Sequence, residues 1–206
     1  MTARESRTAP AVPAILLAAG ESRRMGRPKA LLEYSGGLTF VDAAILSLRS
    51  SGADPVIVVL GSEPETIRAG ARLEPARIVV NPLYRLGQLS SLKAGARALP
   101  PGAPAAIVAL VDQPHVPSSV ARDLIAEFRR SAAPIVRPVW NGRGGHPFLL
   151  SAETFPLLLR LPDTATPFEV VNNFHDRRRD VPSPDGSILE DFDTPEEYRR
   201  AGFPRP

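Results

Sequence analysis

Residues 15–29 are the most informative part of the sequence and read Ile15-Leu16-Leu17-Ala18-Ala19-Gly20-Glu21-Ser22-Arg23-Arg24-Met25-Gly26-Arg27-Pro28-Lys29. It begins with a short apolar run after Pro13, long enough for one strand that is buried on both faces. At Gly20 the run breaks into a loop rich in cations. Glycine lets the backbone approach a ligand closely, and arginine and lysine donate charge-assisted hydrogen bonds to phosphate oxygens. The stretch therefore indicates either a phosphate-binding loop or a solvated basic turn at the edge of an α/β sheet.

Two common phosphate-binding motifs are excluded here. A Walker A loop requires lysine directly after its second glycine and then a hydroxyl residue, whereas Arg27 and Pro28 follow Gly26. The dinucleotide fingerprint fails because its third glycine and its spacing are missing, and because Pro28 stands where that fingerprint requires a helix. These absences argue against a P-loop protein and against a dehydrogenase.

Composition restricts the class of protein further. The chain has 206 residues, 43% of them hydrophobic and 23% charged, which suits one α/β domain with a sizeable core. It has no cysteine, which excludes disulfides, thiolate catalysis, iron–sulfur clusters and cysteine-bound zinc. The net charge of +3 is scattered, and 6% aromatic residues offer little material for base stacking. We therefore expect an anionic small-molecule substrate and no nucleic-acid partner.

The start of the chain differs from the rest. Residues 1–13 carry charged residues, two prolines and no apolar core, so we predict a disordered tail followed by one domain over residues 14–206. The tail lacks the apolar segment of ~7–15 residues that a secretory signal needs. The longest apolar runs are much shorter than the ~20 residues of a membrane span. We expect a cytoplasmic protein with no membrane partner.

Strands and helices alternate along the chain. Apolar runs predict buried strands at residues 56–60, 77–81 and 105–111, and helical periodicity predicts a helix that is capped by Thr39 and ends at Gly52. This alternation is typical of a single-domain, Rossmann-like α/β fold with a doubly wound and mostly parallel sheet.

The strongest of these strands, residues 105–111, leads directly into Asp112-Gln113-Pro114. A carboxylate at the carboxyl end of a buried parallel strand points into the crevice where open α/β sheets bind ligands. Asp112 is therefore the best single candidate for a catalytic residue. The alternative is a structural aspartate that caps the helix predicted after Pro117.

A second candidate binding segment, Gly87-Gln88-Leu89-Ser90-Ser91-Leu92, opens a helix. The free N–H groups and positive dipole end of a helix N-terminus favour a nucleotide phosphate or ribose. Ser90 and Ser91 would contact the nucleotide in that case, and otherwise one of them would cap the helix. The residues alone leave both interpretations open.

Two further carboxylates, Asp191 and Asp193, precede a helix start at Thr194-Pro195. Their side chains alternate to the same face of an extended segment. Two carboxylates placed together repel each other unless a cation or a proton relieves the repulsion. A magnesium ion would do so, since Mg2+ prefers carboxylate and phosphate oxygens.

Residues 17–26 together with Pro28-Lys29 resemble the signature loop of the MobA-like nucleotidyltransferases, and within them are most similar to the molybdenum cofactor cytidylyltransferases. Segment 87–92, Asp112-Gln113-Pro114 and residues 191–195 are similar to further motifs of that family, in the same order. The resemblance implies transfer of a nucleoside monophosphate from a nucleoside triphosphate, with CTP favoured, to a phosphorylated acceptor. Molybdopterin or the molybdenum cofactor is the acceptor that we expect, and pyrophosphate is the product released.

The same resemblance implies roles for individual residues. The expected catalytic residues are Lys29, Asp112 and Arg24, and the expected ligands of Mg2+ are Asp112 and Asp193, with Asp191 as a substitute. The expected nucleotide-binding residues are Leu17, Ala18, Ala19, Gly20, Ser22, Arg23, Met25, Gly26, Gly87, Ser90 and Ser91.

The acceptor side is expected at Gly145-His146-Pro147, which is similar to a G-H-P element of the family. A structural role is the alternative for His146, because a lone histidine carries no specific signal. The sequence departs from the cytidylyltransferase pattern after residue 161, where only Asp163 corresponds to the expected G-D-x-G-A-R element. Three alternatives therefore stay open: a guanylyltransferase, a nucleotidyltransferase for another small phosphorylated molecule, and a non-catalytic nucleotide or cofactor carrier for a molybdoenzyme.

Overall fold

The apolar run near the start of the chain forms strand β1, Val12–Ala18, in the interior of the main sheet. The structure is a computed structural model that describes residues 10–203. The other strands are β2 (Glu33–Ser35), β3 (Leu38–Thr39), β4 (Ala53–Leu60), β5 (Arg77–Val80), β6 (Ala105–Leu110), β7 (Ile135–Trp140), β8 (Arg143–Gly144), β9 (Phe148–Ser151) and β10 (Arg179–Pro182). The helices are α1 (Phe40–Ser50), α2 (Pro64–Gly70), α3 (Gln88–Arg97), α4 (Ser118–Ser131), α5 (Phe155–Arg160), α6 (Pro167–Asn173) and α7 (Pro195–Arg200).

The main sheet has eight strands in the order β10-β7-β9-β6-β1-β4-β5, with β8 paired to β7. Strands β5, β4, β1 and β6 are parallel, and β10 is parallel to β7. Strand β9 runs antiparallel to both β6 and β7, and β2 and β3 form a separate antiparallel hairpin. The predicted Rossmann-like fold with a mostly parallel sheet is confirmed.

Side chains of β1 alternate between two cores, as expected for a strand buried on both faces. Leu16 packs on the face covered by α1 and α4, together with Phe40 and Tyr198. Ile15 and Leu17 pack on the opposite face, which α3, α5 and α6 cover. The helix starts predicted at Thr39, Thr166 and Thr194 are confirmed, since α1, α6 and α7 each begin with a capping box.

The parallel strands end at one edge of the sheet, and this edge positions the site. Ala18 of β1 is paired with Leu60 of β4, and Leu17 is paired with Leu110 of β6. The loops after β1 and β6 therefore leave the sheet side by side. They carry the basic stretch and Asp112, respectively.

The predicted tail falls mainly on residues 1–9, which lie outside the described residues. The structure sets the start of the sheet earlier than the predicted boundary, because Val12 and Pro13 belong to β1 and Val12 is paired with Ala53. Within residues 10–203, no helix is long and apolar enough to cross a membrane.

Candidate active site

The loop after β1, residues 19–28, is held by its own hydrogen bonds. The N–H groups of Met25 and Gly26 donate to the carbonyl oxygen of Ser22 over 2.9 and 3.1 Å. The hydroxyl oxygen of Ser22 accepts from the N–H of Lys29 over 2.9 Å, and the Met25 side chain is buried in the core. These contacts fix the loop and set the position from which the Lys29 side chain extends.

Lys29 joins the two acidic segments that the sequence indicated. Its Nζ atom lies 2.7 Å from Oδ2 of Asp112 and also donates to Oδ1 of Asp193. Arg24 donates to the other carboxylate oxygen of Asp193. The segment that carries Asp193 is held at this place by the backbone, because the N–H of Phe192 donates to the carbonyl oxygen of Asp112 over 3.3 Å. The predicted catalytic residues Lys29, Asp112 and Arg24 are thus brought together.

The charges of this cluster stabilise each other. Burial lowers the pKa of Lys29, but the carboxylates of Asp112 and Asp193 outweigh burial, and the net pKa lies above the ordinary value for lysine. The hydrogen bond from Lys29 lowers the pKa of Asp193. Lys29 is therefore a cation and Asp193 an anion at neutral pH.

Asp191 differs from the other two carboxylates. Burial raises its pKa, and the nearby Asp193 and Asp112 raise it further. It does not belong to the residues that line the cleft, whereas Asp112 and Asp193 do. In the part of the chain that the structure describes, no group of three His, Cys, Asp or Glu side chains is arranged to hold a metal ion. The residues that could hold Mg2+ here are Asp112 and Asp193, whose carboxylates lie on either side of the Lys29 ammonium. Ligand and water oxygens would complete the coordination of the ion.

The two serines in the first turn of α3 have different surroundings. Gly87, with φ +107°, is the N-cap residue, and neither serine caps the helix. The Nδ2 atom of Asn81 donates to Oγ of Ser90 and of Ser91 over 2.9 and 3.1 Å. Ser90 Oγ also lies within hydrogen-bond distance of the carbonyl oxygens of Leu83 and Gly87, at 2.9 and 2.8 Å. Ser91 and Gly87 line the cleft, whereas Ser90 is held in the structure behind it.

The predicted acceptor residues lie at the turn before β9 and do not line the cleft. The N–H of His146 donates to the carbonyl oxygen of Ile188 over 3.0 Å. Gly145 allows this contact, because a Cβ atom at Gly145 would lie 2.1 Å from the same oxygen. Burial lowers the pKa of His146 to about 4, so its ring is neutral at neutral pH. In this structure Gly145 and His146 hold the 186–189 turn, which leads to Asp193.

The cleft between these segments has a volume of about 380 Å3. Eight predicted positions from the end of β1 and the loop after it line the cleft, together with two aspartates and two residues at the start of α3: Leu17, Ala18, Ala19, Gly20, Ser22, Arg23, Arg24, Lys29, Asp112, Asp193, Gly87 and Ser91. The predicted residues Met25, Gly26 and Ser90 do not line it. Sequence reasoning missed Tyr84 and Gln88, which also line it. Gln88 directly follows Gly87 and Tyr84 precedes it by three residues, and this closeness to the glycine is the signal that could have found them.

A comparison of the chain with known protein families agrees with the arrangement of this site. The model of the MobA-like NTP transferase domain matches residues 14–178. The chain belongs to this family. It is therefore placed among the nucleotidyltransferases, as the resemblance of its motifs predicted. Asp193 lies beyond the matched residues and joins the site through the fold.

Curated relatives of this family member carry more than one name. Over 155 residues it is 37% identical to nicotine blue oxidoreductase of Paenarthrobacter nicotinovorans, covering 71% of this chain and 74% of that protein. Over 146 residues it is 35% identical to a probable molybdenum cofactor guanylyltransferase of Mycobacterium ulcerans, covering 69% and 68%.

A solved structure covers almost the whole chain. Rv0371c of Mycobacterium tuberculosis H37Rv is 30% identical with a TM-score of 0.81, and the match covers 94% of this chain and 97% of that one. The same protein has also been solved as a complex with manganese, where the TM-score is 0.77 at 28% identity over 93% and 97% of the two chains.

Proposed function

We propose that this MobA-like nucleotidyltransferase transfers a cytidylyl group from CTP to the phosphate of molybdopterin or of the molybdenum cofactor and releases pyrophosphate. The observation that carries the proposal is the position of Lys29 Nζ between Asp112 and Asp193, in a cleft whose wall is the basic loop after β1. A reaction between two anionic phosphates needs this combination, since positioning and charge neutralisation supply most of the rate.

The chemistry follows from the charges. An oxygen of the acceptor phosphate attacks the α-phosphorus of the nucleotide in line, a new P–O bond forms, and the bond to the bridging oxygen of the β-phosphate breaks. The electron pair leaves with pyrophosphate. Lys29 neutralises the α-phosphate and the incoming phosphate, and Arg24 with the backbone of the loop holds the β- and γ-phosphates. No general base is required, because a phosphate nucleophile is already ionised at neutral pH.

Asp112 and Asp193 fit a divalent ion at the reacting phosphates. Both carboxylates already accept hydrogen bonds from one cation, the Lys29 ammonium. Mg2+ takes one or two protein carboxylates together with water and phosphate oxygens. When bound, the ion supplies positive charge that offsets the negative charge developing on the phosphates. The manganese complex of Rv0371c supports a divalent ion in this family. Lys29 must then move its hydrogen bonds from the carboxylates to the phosphates.

Two features support the choice of substrates. The motif set as a whole, and the loop at residues 17–26 in particular, resembles that of the cytidylyl branch, and this favours CTP. The names of relatives such as the Mycobacterium ulcerans protein favour an acceptor related to the molybdenum cofactor, although they name a guanylyltransferase. A carrier without catalysis is disfavoured, because a carrier has no need of a lysine between two carboxylates at the reacting phosphate.

The test is an incubation of the purified chain with Mg2+, molybdopterin with and without molybdate, and one nucleoside triphosphate at a time. Pyrophosphate is measured by a coupled assay, and Asp112→Asn serves as the inactive control. We expect release with CTP. Release with GTP instead would identify a guanylyltransferase, and no release with any nucleotide would reject the proposal.

A further inference from the structure

A second group of charges lies at the rim of the cleft, apart from Lys29 and its carboxylates. The carboxylate of Glu21 accepts a hydrogen bond from Nε of Arg23 at one oxygen. Its other oxygen accepts from Nε of Arg85 over 3.0 Å. The Glu21 side chain is 21% exposed, whereas the two arginine side chains are 82% and 76% exposed. Glu21 is thus covered by guanidinium groups, and both hydrogen bonds lower its pKa.

This group connects two segments that are far apart in the sequence. Glu21 belongs to the loop after β1, and Arg85 belongs to the turn between β5 and α3, 64 residues away. Among the residues that the structure describes, the bond between Glu21 and Arg85 is the only side-chain hydrogen bond that joins the loop at 20–26 to the turn at 84–86. The loop and the turn line the same cleft through Gly20 and Tyr84.

The position of Arg85 is set from both sides. Its Cζ atom lies 5.6 Å from the centroid of the Tyr84 ring, within the range of a cation–π interaction. Tyr84 is itself packed closely against the chain after β4, because a Cβ atom at Gly61 would lie 2.5 Å from the Cβ atom of Tyr84. Arg85 therefore extends from a packed turn toward Glu21.

The negative charge of Glu21 is unfavourable in a loop that has to bind a triphosphate. A free carboxylate beside several phosphate charges of the same sign would repel them. Arg23 alone would leave the pair neutral, while Arg23 and Arg85 together make the rim of the cleft positive. The sequence motif does not reveal this, because Arg85 stands in another segment.

We propose that Arg85 is a positioning residue for nucleoside triphosphate: from the turn at the opposite side of the cleft it neutralises the carboxylate of Glu21 in the loop after β1. The inference rests on the proposed function, because it concerns the same nucleotide site. Arg85 acts through Glu21 and does not contact the phosphates. Its effect therefore falls on nucleotide binding and not on the chemical step.

The test compares Arg85→Gln, Glu21→Gln and the double variant. The dissociation constant for CTP, or for the triphosphate that binds the wild type, is measured by calorimetry with Mg2+, and kcat is measured at saturating nucleotide. We expect Arg85→Gln to weaken binding about fivefold with kcat nearly unchanged, because Glu21 then cancels the charge of Arg23 and the rim loses its net positive charge. Glu21→Gln in the Arg85→Gln background should restore binding to within about twofold of the wild type.

A matched control exists on α4, where Arg130 donates to Glu127 over 2.7 and 2.9 Å at side-chain exposures of 71% and 16%. Arg130→Gln changes the net charge equally and should leave binding unchanged. An unchanged dissociation constant in Arg85→Gln would overturn the inference, as would a loss that Glu21→Gln fails to rescue, since Arg85 would then contact phosphate directly. If the wild type binds no nucleoside triphosphate, the proposed function fails and the inference fails with it. If the wild type binds nucleotide normally and either of the two contrary results for Arg85→Gln is found, only the inference about Arg85 is rejected.

Discussion

The ammonium of Lys29 lies 2.7 Å from the carboxylate of Asp112, although 83 residues separate them in the chain. The same ammonium donates to Asp193, a further 81 residues along the sequence, and this makes Lys29 the link between the loop after β1, the end of β6 and the segment before α7. The lysine stands where cationic charge is needed for phosphate transfer, and it holds the carboxylates together before any ligand arrives.

We expect Lys29→Met to lower kcat/KM for pyrophosphate release by about 100- to 1,000-fold, since the neutral side chain cannot stabilise charge on the reacting phosphates. Methionine keeps the unbranched shape, so the variant should fold, and circular dichroism checks this. Lys29→Arg is the second variant: if the cation must occupy the narrow place between two carboxylates, arginine restores little activity. Wild-type turnover in Lys29→Met would reject its catalytic role.

The carboxylates at 191 and 193 should differ in their effect on metal affinity. Asp193→Asn should weaken Mn2+ binding in the presence of nucleotide by about tenfold or more, because Asp193 faces the cation position beside Asp112. Asp191→Asn should change it by less than about threefold, since Asp191 does not line the cleft. Electron paramagnetic resonance of Mn2+ measures both. Equal losses in the two variants would restore Asp191 as a ligand.

Gly145→Ala tests the contact that holds the 186–189 turn. Its Cβ atom would meet the carbonyl oxygen of Ile188 at 2.1 Å, so the backbone must shift, and we expect a loss of about 1–3 kcal/mol in the free energy of unfolding. Activity should fall as well, because the displaced turn leads to Asp193. Gly20→Ala is the comparison: its Cβ atom meets no protein atom within 4 Å, so stability should change by less than about 0.5 kcal/mol while nucleotide affinity falls.

The two adjacent serines of α3 should give opposite results. Ser90→Ala removes a hydroxyl that bonds Asn81 and lies beside two backbone carbonyls, and we expect a loss of about 1–2 kcal/mol in stability. Ser91→Ala should destabilise less but weaken nucleotide binding about threefold to tenfold, because Ser91 lines the cleft. Denaturant unfolding and calorimetry separate the effects. The reverse pattern would contradict the separation of roles.

His146 should make stability depend on pH. Its pKa is about 4 in the folded protein against 6.5 when unfolded, so the unfolded chain binds more protons between these values and stability falls as pH falls. The wild type should lose about 2 kcal/mol between about pH 7.5 and about pH 5 through this group. His146→Gln should flatten the curve of stability against pH. Burial lowers the pKa of His115 too, so the informative quantity is the difference between variants.

Much of the fold followed from local patterns in the sequence. The apolar run 15–18, the threonine caps at 39 and 194 and the strand before Asp112 each depend on residues within one element, and each is confirmed. The sequence could not decide whether Ser90 and Ser91 contact a ligand or cap the helix. That decision required Asn81, which lies on another segment and is brought to both hydroxyls by the packing of β5 and α3.

The α/β class, the family and the chemical groups at the site can be predicted from the sequence, because strand burial, helix caps and the motif from Leu17 to Lys29 are encoded in consecutive residues. Three contacts could be seen only in the folded chain: Asp193 and not Asp191 contacts Lys29, Gly145 packs on Ile188, and Arg85 donates to Glu21. These contacts join segments between about 40 and 165 residues apart, and their geometry depends on how the sheet edge gathers the loops rather than on the identity of neighbours in the chain.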